Sequence, residues 1–209
     1  MNNINDEQLI YRVVVMFLGV LLIGIGIAFL RGSEFGTDPF TAMNLGISKM
    51  RGISLGVFQL EVNIILFIIV FLLGRKYIGL GMITNMVLVG FISDVFSTII
   101  SSGYTMEIRI LFTVLGIIIT CLGVAIYSSV NLGISPYDAI GWIVEDMTNH
   151  KLNFKISRIV TDIICIVIGI SFGSIISINT IIMAFFTGPL VQFFTQKIIK
   201  LKLVSKNYN

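Results

Sequence analysis

The sequence predicts an all-α polytopic membrane protein with about six transmembrane helices, two short half-helices and an internal two-fold repeat. Three observations predict this fold: the composition, the long uncharged blocks and a self-similarity within the chain. Of the 209 residues, 56% are hydrophobic and only 12% are charged, and the mean hydropathy is +1.00. Soluble domains carry about 25% charged residues, so this chain has too few polar groups to cover a water-facing surface. The lipid bilayer is therefore its expected partner.

The uncharged blocks are long enough to cross a bilayer. A hydrocarbon core of about 30 Å needs roughly 20 apolar residues in a helix, and helices satisfy their own backbone groups in lipid. The first block is expected to be retained rather than cleaved, because residues 1–12 carry Asp6 and Glu7 before it and no basic stretch typical of a signal peptide. The predicted spans are about 11–31, 56–73, 78–100, 108–129, 156–173 and 176–196.

The chain matches itself at an offset of 97 residues. Phe35–Ala42 aligns with Leu132–Ala139, and both stretches contain Gly-x-x-Pro. With one or two extra residues the match resumes, so that Gln59 and Asn63 correspond to Arg158 and Asp162. We therefore expect a single membrane domain over 1–209, with a first repeat at 9–103, a second repeat at 106–200 and a cytoplasmic tail at 201–209.

Each Gly-x-x-Pro predicts the start of a short helix. Pro39 and Pro136 suit the first helical turn, where the missing N–H costs nothing. Asp38 and Ser135 precede them and are good N-cap residues. The two short helices, at about 39–50 and 136–148, are too short to span a bilayer. They either re-enter the membrane as half-helices or lie at its surface.

The number of crossings per repeat decides the symmetry. With three spans per repeat, the second copy would be inverted in the membrane, as in many secondary transporters. If the short helices also cross the membrane, each repeat has four crossings and the two repeats are parallel. With both termini inside, nine lysines and arginines lie inside and four outside, which satisfies the positive-inside rule. Charge alone leaves the two symmetries open, but it places both termini in the cytoplasm in either case.

Several runs resemble a known family. Gly36–Asn44, and Gly79–Asn85 leading into Gly90–Asp94, are similar to segments of the YczE/YyaS/YitT-like bacterial integral membrane proteins, in particular the YczE branch. The resemblance covers nearly the whole chain and implies a multi-pass protein of the bacterial inner membrane. It carries over no substrate and no catalytic residue. The second repeat has Ser135, Met183 and Gln192 where the first has Asp38, Asn85 and Asp94, so any site is asymmetric.

Polar residues inside the apolar spans are candidates for a solute or ion pathway, because an ionisable group in a membrane core is costly. Glu61 lies in the second span, and Arg158 and Asp162 are placed to pair along one helix. The alternative is that these side chains only hold helices together. The pathway candidates within the spans are Gln59, Glu61, Asn63, Asn85, Asp94, Arg158 and Asp162.

The starts of the short helices form the other candidate site. Helix N-termini favour anions, but Asp38 would repel an anion, so a cation or a polar zwitterion fits better. Ordinary capped turns are the alternative interpretation. The candidates here are Gly36, Asp38, Pro39, Asn44, Gly133, Ser135, Pro136 and Asp138.

The leading hypothesis is a transporter or channel for a small polar solute or ion, without catalytic residues, cofactor or metal. The chain has no phosphate-binding loop, its one histidine is His150 in a polar loop, and Cys121 and Cys165 fall within apolar spans as expected core residues. The sequence also lacks a basic soluble domain of the kind that binds nucleic acid. The rival hypothesis is a non-transporting membrane assembly or regulatory partner protein.

Overall fold

Eight α-helices form the protein in the computed structural model, which describes residues 6–100, 103–174 and 176–200. The predicted tail at 201–209 lies outside the described residues. A single 3₁₀ turn, Arg75–Tyr77, joins the third and fourth helices. The helices are α1 Asp6–Ser33, α2 Pro39–Arg51, α3 Leu55–Leu73, α4 Leu80–Ile99, α5 Met106–Ser129, α6 Pro136–Met147, α7 Phe154–Ser171 and α8 Ile178–Lys200.

Five of these helices are long and apolar enough to cross a membrane: α1, α3, α4, α5 and α8. Each of the six predicted spans coincides with a helix to within a few residues. The helix at the predicted span 156–173, α7, has 18 residues and differs from the others because Lys155, Arg158 and Asp162 interrupt its apolar sequence.

Both short helices begin as their sequences predict. The Asp38 side chain accepts a hydrogen bond from the Thr41 N–H at 3.1 Å, and the Ser135 hydroxyl accepts one from the Asp138 N–H at 3.1 Å. A proline follows each cap in the first turn. The N-cap assignments of Asp38 and Ser135 are therefore confirmed, and α2 and α6 have 13 and 12 residues.

The most extensive helix contact is between α1 and α5, which cross antiparallel through glycines. A Cβ added at Gly19 would lie 2.9 Å from the Gly123 carbonyl oxygen, and one added at Gly116 would lie 3.0 Å from that of Gly26. Small residues permit such close approach of two membrane helices. These four glycines therefore allow α1 and α5 to pack closely.

The remaining long helices take their direction from this crossing. α4 runs parallel to α1, since Gly24 faces Ile92 and Gly32 faces Ile100. α3 runs antiparallel to α4, because Asn63 donates to the Met86 carbonyl while Gly56 lies against Phe91. We call the face where α1 and α4 end the distal face, and the opposite one the proximal face. α3, α5 and α8 begin at the distal face.

The starts of the two short helices meet inside the bundle. Phe40 of α2 and Tyr137 of α6 stack with ring centroids 4.4 Å apart, within a core cluster that also contains Met43 and Cys165. From there α2 leads toward the distal face and packs on α7, whereas α6 leads toward the proximal face and packs on α3.

Candidate functional site

A charged cluster lies where α6 begins and α7 passes. It consists of Tyr137, Asp138, Arg158 and Asp162, and we call it the α6–α7 cluster. The Arg158 guanidinium forms an ion pair with Asp138 and lies 3.6 Å from Asp162 and 4.6 Å from the centre of the Tyr137 ring. The Tyr137 hydroxyl donates to Asp162 Oδ1 at 2.6 Å. One cation is thus placed between two carboxylates and over an aromatic face.

Local sequence explains this arrangement. Ser135 caps α6, and its hydroxyl also donates to Asp138 Oδ2 at 2.7 Å, which fixes that carboxylate in the first turn. Arg158 and Asp162 are four residues apart and therefore lie on the same face of α7. The pairing of Arg158 with Asp162 along the helix is confirmed, and the stronger contact of Arg158 is with Asp138 on the neighbouring helix.

Burial in the α6–α7 cluster is uneven. The Asp162 side chain is 5% exposed, whereas those of Arg158 and Asp138 are 26% and 23% exposed. The α6–α7 cluster therefore contains one buried carboxylate, together with a guanidinium and a second carboxylate that are only partly buried.

In the first half, the three positions that correspond to Asp138, Arg158 and Asp162 hold polar but uncharged residues. Thr41, Gln59 and Asn63 stand where the second half has Asp138, Arg158 and Asp162. Asn63 is 2% exposed and donates to the Met86 carbonyl at 3.3 Å, while the buried Gln59 Oε1 has no hydrogen-bond partner in the structure. Asn44 on α2 is fully buried with both amide atoms unpaired.

A second ionic group ties three helices together near the distal face. Arg31 of α1 binds Asp94 of α4 at 2.9 Å and donates to the Ser93 hydroxyl at 3.0 Å. Asp94 also accepts from the Gly56 N–H at 2.6 Å, where it complements the N-terminal dipole of α3. The predicted pathway residue Asp94 thus has structural partners on two other helices.

Two cavities open beside this ionic group, on either side of α2. One has a volume of about 580 Å³, and its lining includes Arg31, Asp94 and Lys49. The other, of about 370 Å³, shares Arg31 and Lys49 and reaches Gly36 and Thr37, just before α2 begins. Neither of these two cavities is lined by Pro39 or Pro136.

Other predicted site residues lie apart from the α6–α7 cluster. Glu61 forms an ion pair with Arg51, and both side chains are 45% exposed. Asn85 is buried on α4. Gly36 and Gly133 have positive φ values of 93° and 100°, which glycine adopts without strain.

Sequence reasoning missed Tyr137 and Arg31. Tyr137 could have been found because it is the hydroxyl-bearing counterpart of Phe40 next to a matched proline. Arg31 gave no signal, since its partner Asp94 is 63 residues away in the chain.

At the proximal face, an exposed ionic group holds the end of α6. Asp146 pairs with Lys76 at 2.7 Å and accepts from the Tyr77 hydroxyl at 2.7 Å. The hydrogen bonds from Lys76 and Tyr77 lower the pKa of Asp146. The hydrogen bond to Asp146 raises the pKa of Lys76, whereas the pKa of Tyr77 is raised first by partial burial and then by that hydrogen bond.

The remaining metal and thiol candidates form no site. Cys121 and Cys165 are free and buried, as expected of core residues. Among the residues that the structure describes, no group of three or more His, Cys, Asp and Glu side chains is placed to hold a metal ion.

Long apolar helices around a buried charged cluster define the class: this is an integral membrane protein. The chain belongs to a family of unknown function, DUF6198, whose model matches residues 10–196. The resemblance to YczE- and YyaS-like proteins is likewise confirmed by two relatives from Bacillus subtilis (strain 168).

The first relative, "Uncharacterized protein YyaS", is 29% identical over 194 residues, which cover 91% of this chain and 94% of the relative. The second, "Uncharacterized membrane protein YczE", is 24% identical over 196 residues, or 93% of this chain and 90% of the relative. An uncharacterized protein of Haemophilus influenzae is 24% identical over 187 residues, covering 90% of this chain and 84% of its own. No solved structure matches the chain.

Proposed function

We propose that the protein is a transporter or channel for a small polar solute or ion, without catalytic activity of its own. The observation that carries this proposal is the α6–α7 cluster inside a membrane domain. Charged side chains within membrane helices are costly and mark solute or ion pathways by default. The cluster lies beside the meeting point of two short helices, and membrane transporters build binding sites at such broken helices.

The proposal includes six membrane crossings arranged as two inverted repeats. Its support is that the helix contacts recur when each element is replaced by its counterpart. α1 packs on α4 as α5 packs on α8, and α2 packs on α7 as α6 packs on α3. The antiparallel α1–α5 crossing and the Phe40–Tyr137 stack each join two corresponding elements, as an inverted repeat requires.

We further propose that the proximal face is cytoplasmic, in a bacterial inner membrane, with both termini inside. Arg12, Arg75, Lys76 and Lys155 lie near the proximal ends of their helices, whereas Arg31, Lys49, Arg51 and Arg109 lie toward the distal face. This distribution favours a cytoplasmic proximal face by the positive-inside rule.

Flux into proteoliposomes tests the transport proposal. Purified protein would be reconstituted and challenged with gradients of a fixed panel: glycerol, urea, sodium, potassium, guanidinium and ethylammonium chlorides, and sodium acetate. Stopped-flow light scattering follows vesicle volume, and an entrapped pH dye follows protons. We expect at least one member to cross wild-type vesicles faster than empty ones, and Asp162→Asn to abolish most of that excess.

The matched control is Glu107→Gln, which neutralises an exposed carboxylate at the start of α5 outside the α6–α7 cluster and should leave the flux unchanged. If no solute in the panel crosses wild-type vesicles faster than empty ones, the transport proposal fails. Co-purification of a stoichiometric membrane partner together with that result would favour the rival hypothesis of an assembly or regulatory protein.

A further inference from the structure

We propose that the α6–α7 cluster is a binding site for a monovalent organic cation with a guanidinium or ammonium head, and that Arg158 occupies this site as a tethered substitute when the cation is absent. The inference rests on the proposed function, because it names the class of solute that the same site would take.

The groups around the Arg158 guanidinium are those of a cation-binding site. Its guanidinium is paired with Asp138, lies 3.6 Å from Asp162 and lies over the Tyr137 ring at 4.6 Å. Two carboxylates and an aromatic face are the groups that bind planar cations by charge-assisted hydrogen bonds and cation–π attraction. A site that holds one guanidinium suits another of the same chemistry.

The charges of the α6–α7 cluster do not balance. Asp138 and Asp162 bring two carboxylates, against the single guanidinium of Arg158. The start of α6 adds only a partial positive charge. The cluster therefore favours a cation and disfavours an anion. A zwitterion would place its own carboxylate near these two, which is also unfavourable.

The contacts of Arg158 leave part of its side chain free to move. Its Nε–H has no hydrogen-bond acceptor in the structure, and its side chain is 26% exposed. It lies one turn from the start of α7 at the proximal face, so its long flexible side chain can swing toward that face and leave Asp138 and Asp162 to an incoming cation. Asp162 would stay in place, because Tyr137 donates to it at 2.6 Å.

Aromatic rings lie next to the cluster. Phe40 stacks on Tyr137 with ring centroids 4.4 Å apart. Trp142 is one turn beyond Asp138 on α6 and stacks on Phe154 with ring centroids 4.4 Å apart. Trp142, the only tryptophan in the chain, therefore provides a fluorescent reporter beside the site.

The test is chemical rescue of a variant without the tethered cation. Arg158→Ala should lower the thermal midpoint in detergent, and millimolar guanidinium or methylguanidinium should restore more than half of the loss. Sodium chloride and urea at the same concentration control for ionic strength and for shape without charge. Arg51→Ala, which removes the cation of an exposed pair, should show no such rescue. The inference is wrong if guanidinium restores Arg158→Ala no better than sodium does.

A second measurement on the intact protein keeps the test decisive if Arg158→Ala does not fold. Titration of wild-type protein with guanidinium or ethylammonium chloride should give a saturable change in Trp142 fluorescence that sodium chloride does not give. Asp162→Asn should weaken the apparent affinity by about tenfold or more, because it removes one partner of a buried charge pair. A linear response identical to that of sodium would overturn the inference.

The binding measurements test the cation site, and the flux measurements test the transport function, so the two proposals can fail separately. If the organic cations bind but no member of the panel crosses wild-type vesicles faster than empty ones, the proposed transport function fails and the cation site remains. If only glycerol or urea crosses and no cation binds, the transport function remains and the cation site is wrong.

Discussion

The two halves of this protein agree where helices pack and differ where charge is buried. At the α1–α5 crossing, Gly19 approaches Gly123 just as Gly26 approaches Gly116, so both halves make the same contact. Around the short helices, the second half has Asp138, Arg158 and Asp162 where the first has Thr41, Gln59 and Asn63.

Packing accounts for the glycines at the α1–α5 crossing but not for the charged cluster. Close helix packing needs a small residue in each half, because a Cβ in either would collide with the opposing backbone. An ionic cluster is not needed to fill the same volume, as the amides of Gln59 and Asn63 do so in the first half. Buried ion pairs often add little stability compared with uncharged groups of similar shape. The charge in the second half therefore calls for a functional explanation.

Replacing residues of the second half by their counterparts in the first should give the largest effect. Arg158→Gln leaves Asp162, which is 5% exposed, without its cation, and we expect a loss of about 3 kcal/mol. At this chain length, that is a drop of about 6–12 °C in Tm. Adding Asp162→Asn should recover at least about 1 kcal/mol, since the uncompensated buried charge is removed. Thermal unfolding in detergent measures all three variants.

Arg51→Gln is the control for this series. It breaks the pair with Glu61, in which both side chains are 45% exposed, and should cost less than about 1 kcal/mol. Equal losses in Arg51→Gln and Arg158→Gln, or strictly additive losses in the double variant, would contradict the asymmetry of the two halves.

An intermediate effect is expected at the α1–α5 crossing, where the halves should respond alike. A Cβ at Gly19 would lie 2.9 Å from the Gly123 carbonyl oxygen, and one at its counterpart Gly116 would lie 3.0 Å from the Gly26 carbonyl oxygen. Gly19→Ala and Gly116→Ala should each cost about 1–3 kcal/mol by overpacking, and by similar amounts. The measurement is again the Tm of the purified variants.

Gly188→Ala is the matched control, because a Cβ there would meet no atom within 4 Å and alanine favours a helix over glycine. It should leave the Tm unchanged or raise it. A tolerated Gly19→Ala beside a damaging Gly116→Ala would show that the two halves do not contribute alike to the crossing.

The smallest effect should come from the ionic group at the proximal face. The lowered pKa of Asp146 means that its contribution is present above the pKa of an unfolded aspartate and is lost as the pH falls through the lowered value. The raised pKa of Lys76 means that its contribution is present below the pKa of an unfolded lysine and is lost as the pH rises through the raised value.

Asp146→Asn tests this group. The variant should have a slightly lower Tm than the wild type at neutral pH, and the difference should disappear once the medium is acidic enough to protonate Asp146 in the folded protein. Thermal scans of both proteins across a pH series provide the comparison. A difference that persists unchanged into that acidic range would show that the group does not stabilise the end of α6 through its charge.

Much of the fold could be predicted because bilayer physics acts on local sequence. Apolar blocks must form helices in lipid, and Asp38–Pro39 and Ser135–Pro136 carry their own start signals for helices. The i,i+4 spacing likewise predicted that Arg158 meets Asp162. The site was less predictable. In the sequence, Glu61 is a charged residue within an apolar span, as Arg158 and Asp162 are, but in the structure it pairs with Arg51 at a half-exposed position.

The amino-acid sequence alone predicted the helices and their caps, because these depend on residues that are near neighbours in the chain. Which charges meet between different helices was set by the fold. Arg158 reaches Asp138 across two helices, and Arg31 finds Asp94 63 residues away, because such contacts depend on the direction and depth at which helices cross. Those quantities have no local signature, and they are what bring a guanidinium between two carboxylates beside the meeting point of the short helices.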